Sequence, residues 1–487
     1  MISVSKCLNC GVKSPAAFKF RMGLLLVLVS ATILMNSSAL KAQAKKQSGR
    51  MLTLEMAILQ AQEKDLWITG NLHAQKAVMS QSVVAGTLPD PKLSVSMANL
   101  PVDSFDFSQE AMTQFKLGFS QKLPQGDTLQ LKQKQLQQLS SQFPYQRQAR
   151  KAELALIVSQ LWLETYKAEK SIALIEKNRS LFEQLADVAQ ASYSSAVGKT
   201  RQQDIVRAQL ELIRLEDRLT QLKQHKEVHW QKLSEWLSNE FVSQFSFNNV
   251  NRKSRGNIEI AKQPPDIKLN NRKVTSLDWS QQQLTELLSG HPSILTLEKK
   301  IETSAIGVEL ARQKYKPSWE FSASYGYRED DLLGNDRADL FSIGVSFELP
   351  LFTDNRQDKQ VETAIENTSA VKTEKWLKLR KMLAEFESTR SELLRLSQRQ
   401  TLYRNQLIPQ MHQQAEASLT AYTNDDGDFA EVVRARIAQL NAEIDELAID
   451  VMRQQAVAKI NYFLVGSRRL ESVAGYLTNT YSTGASQ

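Results

Sequence analysis

Cysteine is almost missing from this sequence: its 487 residues include two, Cys7 and Cys10, both within the first 44. With that segment removed on export, the remaining chain has no disulfide framework and no thiol-based redox or metal site. A membrane-length apolar run is missing too. Met22 to Met35 (MGLLLVLVSATILM) is uncharged and mostly apolar, but falls short of the ~20 residues a spanning helix needs. It lies between a basic start (Lys6, Lys13, Lys19, Arg21) and the small-x-small site Ala42-Gln43-Ala44. That three-part pattern describes a signal peptide over 1–44 rather than a retained anchor. No cysteine follows the site, so a lipid anchor is not expected. A large charge excess vanishes with the leader. The leader holds five Lys/Arg and no acid, so 61 basic residues become 56 against 53 acidic ones, a net of +3 in place of +8. A nucleic-acid partner thereby loses its electrostatic basis. Also missing are a Gly-rich phosphate loop, a nucleophile elbow and a carboxylate pair at acid–base spacing, so the chain reads as a non-enzyme without a cofactor.

What is present is a repeat. Pro91-Lys-Leu-Ser-Val-Ser returns as Pro317-Ser-Trp-Glu-Phe-Ser, and Leu117-Gly118-Phe119-Ser120 returns as Ile343-Gly344-Val345-Ser346, both 226 residues on. Val206-Arg207-Ala208-Gln209-Leu210 returns as Val433-Arg434-Ala435-Arg436-Ile437 after 227. Three matches in one order at one spacing define a tandem duplication.

Each copy reads helix, strand, loop, strand, then a long helical hairpin. The first repeat spans 45–238, with an N-terminal helix from Thr53 to about Gly86, strands at 92–100 and 113–122, and a hairpin tip at 193–200. Its helical stretch from Thr128 to about Leu237 has Pro144 as its one strong breaker besides the tip. A connector, 239–280, is rich in Asn, Lys, Pro and Ser. The second repeat, 281–465, carries a helix, strands at 318–328 and 341–348, helices at about Gln357–Ala421 and Phe429–Leu464, and a tip at 422–428; Pro409 should kink the first of these hairpin helices. A tail, 466–487, closes the chain. Helices of some 60 residues would be roughly 90 to 100 Å long, about three bilayer cores. Their three- and four-residue apolar spacing (Leu154, Ile157, Leu161) implies lateral packing with one wet face, which a soluble coiled coil would also show.

The strands argue further. Leu93/Val95/Met97, Phe115/Leu117/Phe119, Trp319/Phe321/Ala323/Tyr325/Tyr327 and Phe341/Ile343/Val345/Phe347 make one face of each. Serines and other polar or small residues make the opposite face, including Ser94, Ser96, Ser322, Ser324 and Ser346 as candidate lumen-facing positions. Strands of about ten residues with aromatics near their ends, joined by acidic loops, fit a membrane barrel. The competing reading is a small soluble sheet covered by helices. Four strands cannot close a barrel, so a membrane sheet requires several subunits to share one.

LPDPKLSVSMANLP leading into TQFKLGFSQKLPQG, the tip YSSAVGKTRQQDIVRAQ, and YRNQLIPQMHQQAEASLTAYTNDDGDFAEVVRAR together resemble the TolC family of outer-membrane efflux and secretion channels. The resemblance covers nearly all of the chain beyond the leader. It implies a mainly α fold with a membrane β part, in which a homotrimer forms a 12-stranded barrel in outer-membrane lipid, continuous with a helical tunnel across the periplasm. The implied partners are a periplasmic membrane-fusion adaptor and an inner-membrane pump of the resistance-nodulation-division (RND) type. LPDPKLS with NLP, and LIPQM followed by AY and GDF, look most like the branch paired with heavy-metal exporters. Drug-pump and type I secretion ducts share the same plan, and an exported soluble coiled-coil structural or adaptor protein is the alternative from another class.

Gate positions carry over residue by residue. The family's carboxylates beyond the second tip match Glu431 and Arg434, the latter basic where an acid is expected, and Asp204 and Arg207 are their first-copy counterparts. Asp425, Asp426 and Asp428 crowd the second tip and would make an acidic ring in a trimer, although Asn-Asp-Asp-Gly-Asp is also turn and cap chemistry. Val197-Gly198-Lys199-Thr200 resembles the adaptor-docking turn. His225 and His229, one helical turn apart, are a weak candidate metal pair with no third ligand evident nearby.

Overall fold

The structure is a computed structural model that describes residues 51–194, 202–237, 261, 263, 265–270, 279–424 and 426–466. The expected signal peptide, most of the connector, the first tip and nearly all of the tail lie outside the described residues. The chain divides into two units, the first comprising 1–52 and 256–262. In its described part the Ala261 N–H donates to the Leu52 carbonyl at 3.4 Å. The second unit, 53–255 and 263–487, contains every element below.

The first copy contributes α1 (Leu54–Lys64), α2 (Leu66–Ala85), β1 (Lys92–Ala98), β2 (Gln114–Leu123), α3 (Thr128–Ser140), α4 (Phe143–Ser194) and α5 (Gln202–Ser234). The second contributes α6 (Gln281–Ser289), α7 (Pro292–Arg312), β3 (Ser318–Tyr327), β4 (Leu340–Glu348), α8 (Gln357–Leu402), a π turn at Tyr403–Leu407, α9 (Ile408–Thr423) and α10 (Phe429–Phe463). The duplicated plan of helix, strand pair and long hairpin is therefore present in the fold.

Local chemistry explains the punctuation. The helix expected to run unbroken from Thr53 to about Gly86 is split at Asp65, whose backbone is extended and whose carboxylate accepts the Trp67 N–H at 2.8 Å, capping α2. Pro144 does not break a helix. It sits in the first turn of α4, where its missing N–H would have had no partner, and the break falls at Ser141–Gln142. Ahead of Pro409, where a kink is expected, the hairpin helix is interrupted by the π turn, and the proline falls in the first turn of α9. α4, at 52 residues, is about 78 Å long, somewhat shorter than the sequence estimate.

Two clusters of described residues help to pack the hairpins. One joins Ile175, Phe182, Leu185, Leu215 and Leu219 to Phe429, Val433 and Leu440. The other joins α6 and α7 (Leu284, Leu288, Ile294) to Phe386, Leu393, Ile449, Val457 and Phe463. Burying each of these larger side chains contributes about 1.5–3 kcal/mol. Arg150 ties α4 to the α1–α2 break. Its Nε lies 2.8 Å from Asp65 Oδ2, and its guanidinium sits over Trp67 (5.9 Å) and Trp236 (5.3 Å). His291 caps α7, its Nδ1 accepting the Ser293 N–H at 3.2 Å, and burial pushes its imidazole pKa down to about 4.

Candidate functional site

The four strands form one antiparallel sheet in the order β1-β2-β3-β4, so the two copies meet where β2 pairs with β3. The pairing register aligns the alternation of all four strands. Val95 stands opposite Leu117, Leu117 opposite Tyr325, and Tyr325 opposite Phe341; Leu93, Phe119, Ala323 and Ile343 form the next row inward. A one-residue slip at any pairing would mix the faces. The result is one continuous apolar face that no helix among the described residues covers: Leu93, Val95 and Ile343 are 70, 60 and 76% exposed. Trp319 and Phe347 (5.1 Å between centroids) gather at one end of this face, while Tyr325, Tyr327 and Phe341 gather at the other.

The opposite face is polar and small. Its rows are Lys92–Ser120–Ser322–Gly344, Ser94–Gly118–Ser324–Ser342 and Ser96–Lys116–Gly326–Leu340, the last ending on the one apolar side chain of these rows, with Lys122–Glu320–Ser346 toward the helical end. Every strand serine read as lumen-facing lies on this face. A Cβ on Gly118 would meet Ser94 Oγ at 2.5 Å, and one on Gly326 would meet Gln114 Oε1 at 2.0 Å, so the glycines make room for cross-strand neighbours.

At the far end, the loops after β1 and β3 are braced together. Arg337 Nη1 donates to the carbonyls of Ser108 (3.1 Å) and Glu110 (3.2 Å), and Arg328 Nη1 to that of Ala111 (3.2 Å). Hydrogen bonds from the side chain and backbone of Asn335 hold the Asp331 carboxyl below the usual carboxylate range, and those from Ser108 do the same for Asp106. Sequence reading found the acidic loops but not the two arginines, whose targets are carbonyls more than 200 residues away.

At the second hairpin tip, the Asp428 carboxylate accepts the Ala430 N–H at 3.2 Å, so this residue caps α10. Gly427 is required by close approach: a Cβ there would lie 2.7 Å from the Tyr422 nitrogen. Asp426 is exposed, whereas Asp425 and the docking turn Val197–Thr200 lie outside the described residues. Glu431 and Arg434 are both exposed and three residues apart on α10, and Arg207 is exposed on α5. Asp204 departs from the expectation of a pore-lining acid. It is 5% exposed within the protomer, on the packed side of α5 beside Ile205 and Ala208. A feature missed from sequence lies farther up the hairpin, where Arg404 on the π turn pairs with Glu446 (2.8 Å) and with Asp450 on α10.

The His225 and His229 rings are 6.4 Å apart and share a cleft with Glu164, Lys167 and Arg218. Burial lowers the basicity of His229, and Glu164 already serves Lys167 (2.5 Å) and Gln455 (2.9 Å). Among the described residues no group of three or more His, Cys, Asp or Glu is placed to hold a metal. No described helix is long and apolar enough to cross a membrane.

No family model and no curated protein sequence matches this chain. Solved structures do. The outer-membrane channel OprN superposes with a TM-score of 0.66 at 16% identity, over 85% of this chain and 90% of its own. The outer membrane protein VceC of Vibrio cholerae gives 0.66 at 14%, over 85% and 96%. CusC, described in terms of transmembrane channel formation, gives 0.65 at 13%, over 86% and 94%. The fold is therefore that of outer-membrane channels. It agrees with the TolC-like arrangement of long helical hairpins and strands that the motifs around LPDPKLS and the second tip implied. The identities differ by only a few points, so they single out no branch of that fold.

Proposed function

We propose that this chain is the subunit of a homotrimeric outer-membrane exit duct that receives cargo from a periplasmic adaptor and an inner-membrane RND pump. The observation that carries this reading is the sheet. An apolar face of four strands stands uncovered while the opposite face is polar, which is the side-chain division of a barrel between lipid and water. Hydrocarbon does not tolerate open edges, and β1 and β4 are unpaired on their outer sides among the described residues. Three copies would join β4 to the next β1 and close twelve strands. The long hairpins would then continue the lumen into the periplasm. Conduction through such a duct is passive, so no catalytic group is required. The docking turn Val197–Thr200 would meet the adaptor, and Asp426, Asp428, Glu431 and Arg434 would line the periplasmic entrance.

For cargo we propose heavy-metal ions, on the support of the LPDPKLS–NLP and LIPQM–AY–GDF phrases. Fractionation tests the duct: a heat-labile oligomer extracted by detergent from the outer membrane is expected, and a freely soluble periplasmic monomer refutes it. Deletion of the gene tests the cargo: sensitivity to copper, silver, zinc or cobalt is expected. Unchanged metal tolerance with new sensitivity to dyes or detergents transfers the chain to drug efflux.

A further inference from the structure

The polar face of the sheet is unequally charged along its length. Toward the helical end Lys92 and Lys122 are accompanied by Glu320 and Glu348, and Lys122 stands directly opposite Glu320. Toward the loop end the face carries Lys116 with no acid beside it. Its cross-strand neighbours are Ser96 and Gly326, and the flanking rows hold Ser94, Gly118, Ser324 and Ser342 on one side and Ala98 and Gln114 on the other. Lys116 makes no ion pair among the described residues and is half-buried in the sheet surface. Glu320 pairs six positions further along β2, about 20 Å away, which is more than two Debye lengths at physiological salt. Arg328, at the rim, adds a second cation rather than an acid, and it is committed to the carbonyls of Ala111 and Ala338. The acids of the loops (Asp103, Asp106, Glu110, Glu329, Asp330, Asp331, Asp336, Asp339) lie beyond the strand ends, and the one nearest the strands, Asp339, is committed to the Tyr325 hydroxyl and the Arg328 N–H.

Given the trimeric duct proposed above, on which this step rests, we infer that Lys116 is the charge-selecting residue of the barrel: three copies form a ring of ammonium groups that favours anionic cargo over free divalent cations. A twelve-stranded barrel has a radius of about 12 Å. Extended lysines reaching inward leave a permeating ion within about one Debye length (~8 Å) of a positive charge. The low-dielectric wall focuses this field across the lumen, whereas the loop acids act at a wide mouth. Lys116 is the longest strand side chain in the outer half of that face, ahead of Gln114 and Leu340, so the ring also sets the local width. Metal leaving through this level would pass more readily in anionic complexes than as the bare ion.

The test is single-channel recording of the purified full-length trimer in planar bilayers under a KCl gradient. The wild-type permeability ratio, to which the acidic periplasmic entrance also contributes, is the reference. In Lys116→Glu the chloride-to-potassium permeability ratio should fall about fivefold or more, and in Lys116→Gln it should take an intermediate value. Ratios that do not move in either variant, in channels of normal conductance, overturn the inference and leave the duct standing. A well-formed trimer that conducts nothing, wild type included, overturns the duct reading itself. Should Lys116→Glu fail to assemble, Lys116→Gln alone decides the matter by the same ratio.

Discussion

Arginine placed along β1 should measure how deep each residue of the sheet lies in lipid. The outer end of the apolar face is at Phe115, one residue inside β2, whose partner is Met97. A strand tilted by about 40° climbs roughly 2.6 Å per residue along the barrel axis, so the Met97, Val95 and Leu93 rows lie about 3, 8 and 13 Å below the start of β2. The apolar band of such barrels is about 25 Å tall, placing Leu93 at its middle, Val95 somewhat outward and Met97 at the interface. Arginine costs about 2–4 kcal/mol at the midplane and about 0–1 at the interface. A trimer multiplies each value by three, giving about 6–12 kcal/mol for Leu93→Arg, about 6 for Val95→Arg and at most about 3 for Met97→Arg. Ser96→Arg, between these positions but on the polar face, should leave assembly intact and alter conductance. The assay is the amount of heat-labile trimer recovered from outer membranes and its resistance to urea. Equal recovery of Val95→Arg and Ser96→Arg, or a series that does not deepen from Met97 to Leu93, would refute the assignment of faces.

Three other outcomes follow from contacts in the helical part. Arg150→Ala leaves the nearly buried Asp65 without its partner and removes the cation between Trp67 and Trp236, which should cost about 3 kcal/mol in thermal or urea unfolding. Asp428→Ala removes the α10 cap at a cost of about 0.5–2 kcal/mol, and hydrogen exchange should rise over Phe429–Val433, with Asp428→Asn largely restoring protection. His291 is folded in its neutral form with a pKa near 4, against about 6.5 when unfolded, so the unfolded chain binds the extra proton between those values. Its contribution is fully present above pH 6.5 and is lost as pH falls toward 4, by about 3 kcal/mol. His291→Asn, which keeps a cap acceptor, should flatten the melting temperature over that window.

The strands were legible because alternation of large apolar and small polar residues needs only the two-residue period, and each observed strand lies within a residue or two of its expected bounds. Long hairpins were legible from helix-forming composition and the scarcity of breakers. The split at Asp65 was not, because Leu66, Trp67 and Ile68 resume the apolar pattern directly after it, and a cap is recognisable only when its side chain is seen accepting an N–H. Pro144 misled for a related reason: proline is a breaker inside a helix and a starter at its first turn, and sequence alone does not say which turn it occupies. Asp204 matched a gate position by alignment with Glu431, yet burial depends on which side of α5 meets α4, a matter of rotation about the helix axis that a motif does not encode. The loop brace by Arg328 and Arg337 reads backbone carbonyls, which have no letter in the sequence.

The π turn at Tyr403–Leu407 constrains the chain by count as well as by composition. It accommodates one residue more than a regular helical turn, and each residue of a helix turns the next by about 100°. Deleting a single residue there would let α8 run into α9 as an ordinary helix. Because the five residues of that turn cover nearly the arc that about four cover in a regular helix, the rest of α9 would keep its face toward α10, with Ala415 and Leu419 still in phase with their partners. A second residue removed, or one inserted, would find no such slack and would turn the next stretch by about 100°, re-aiming everything between the π turn and the tip.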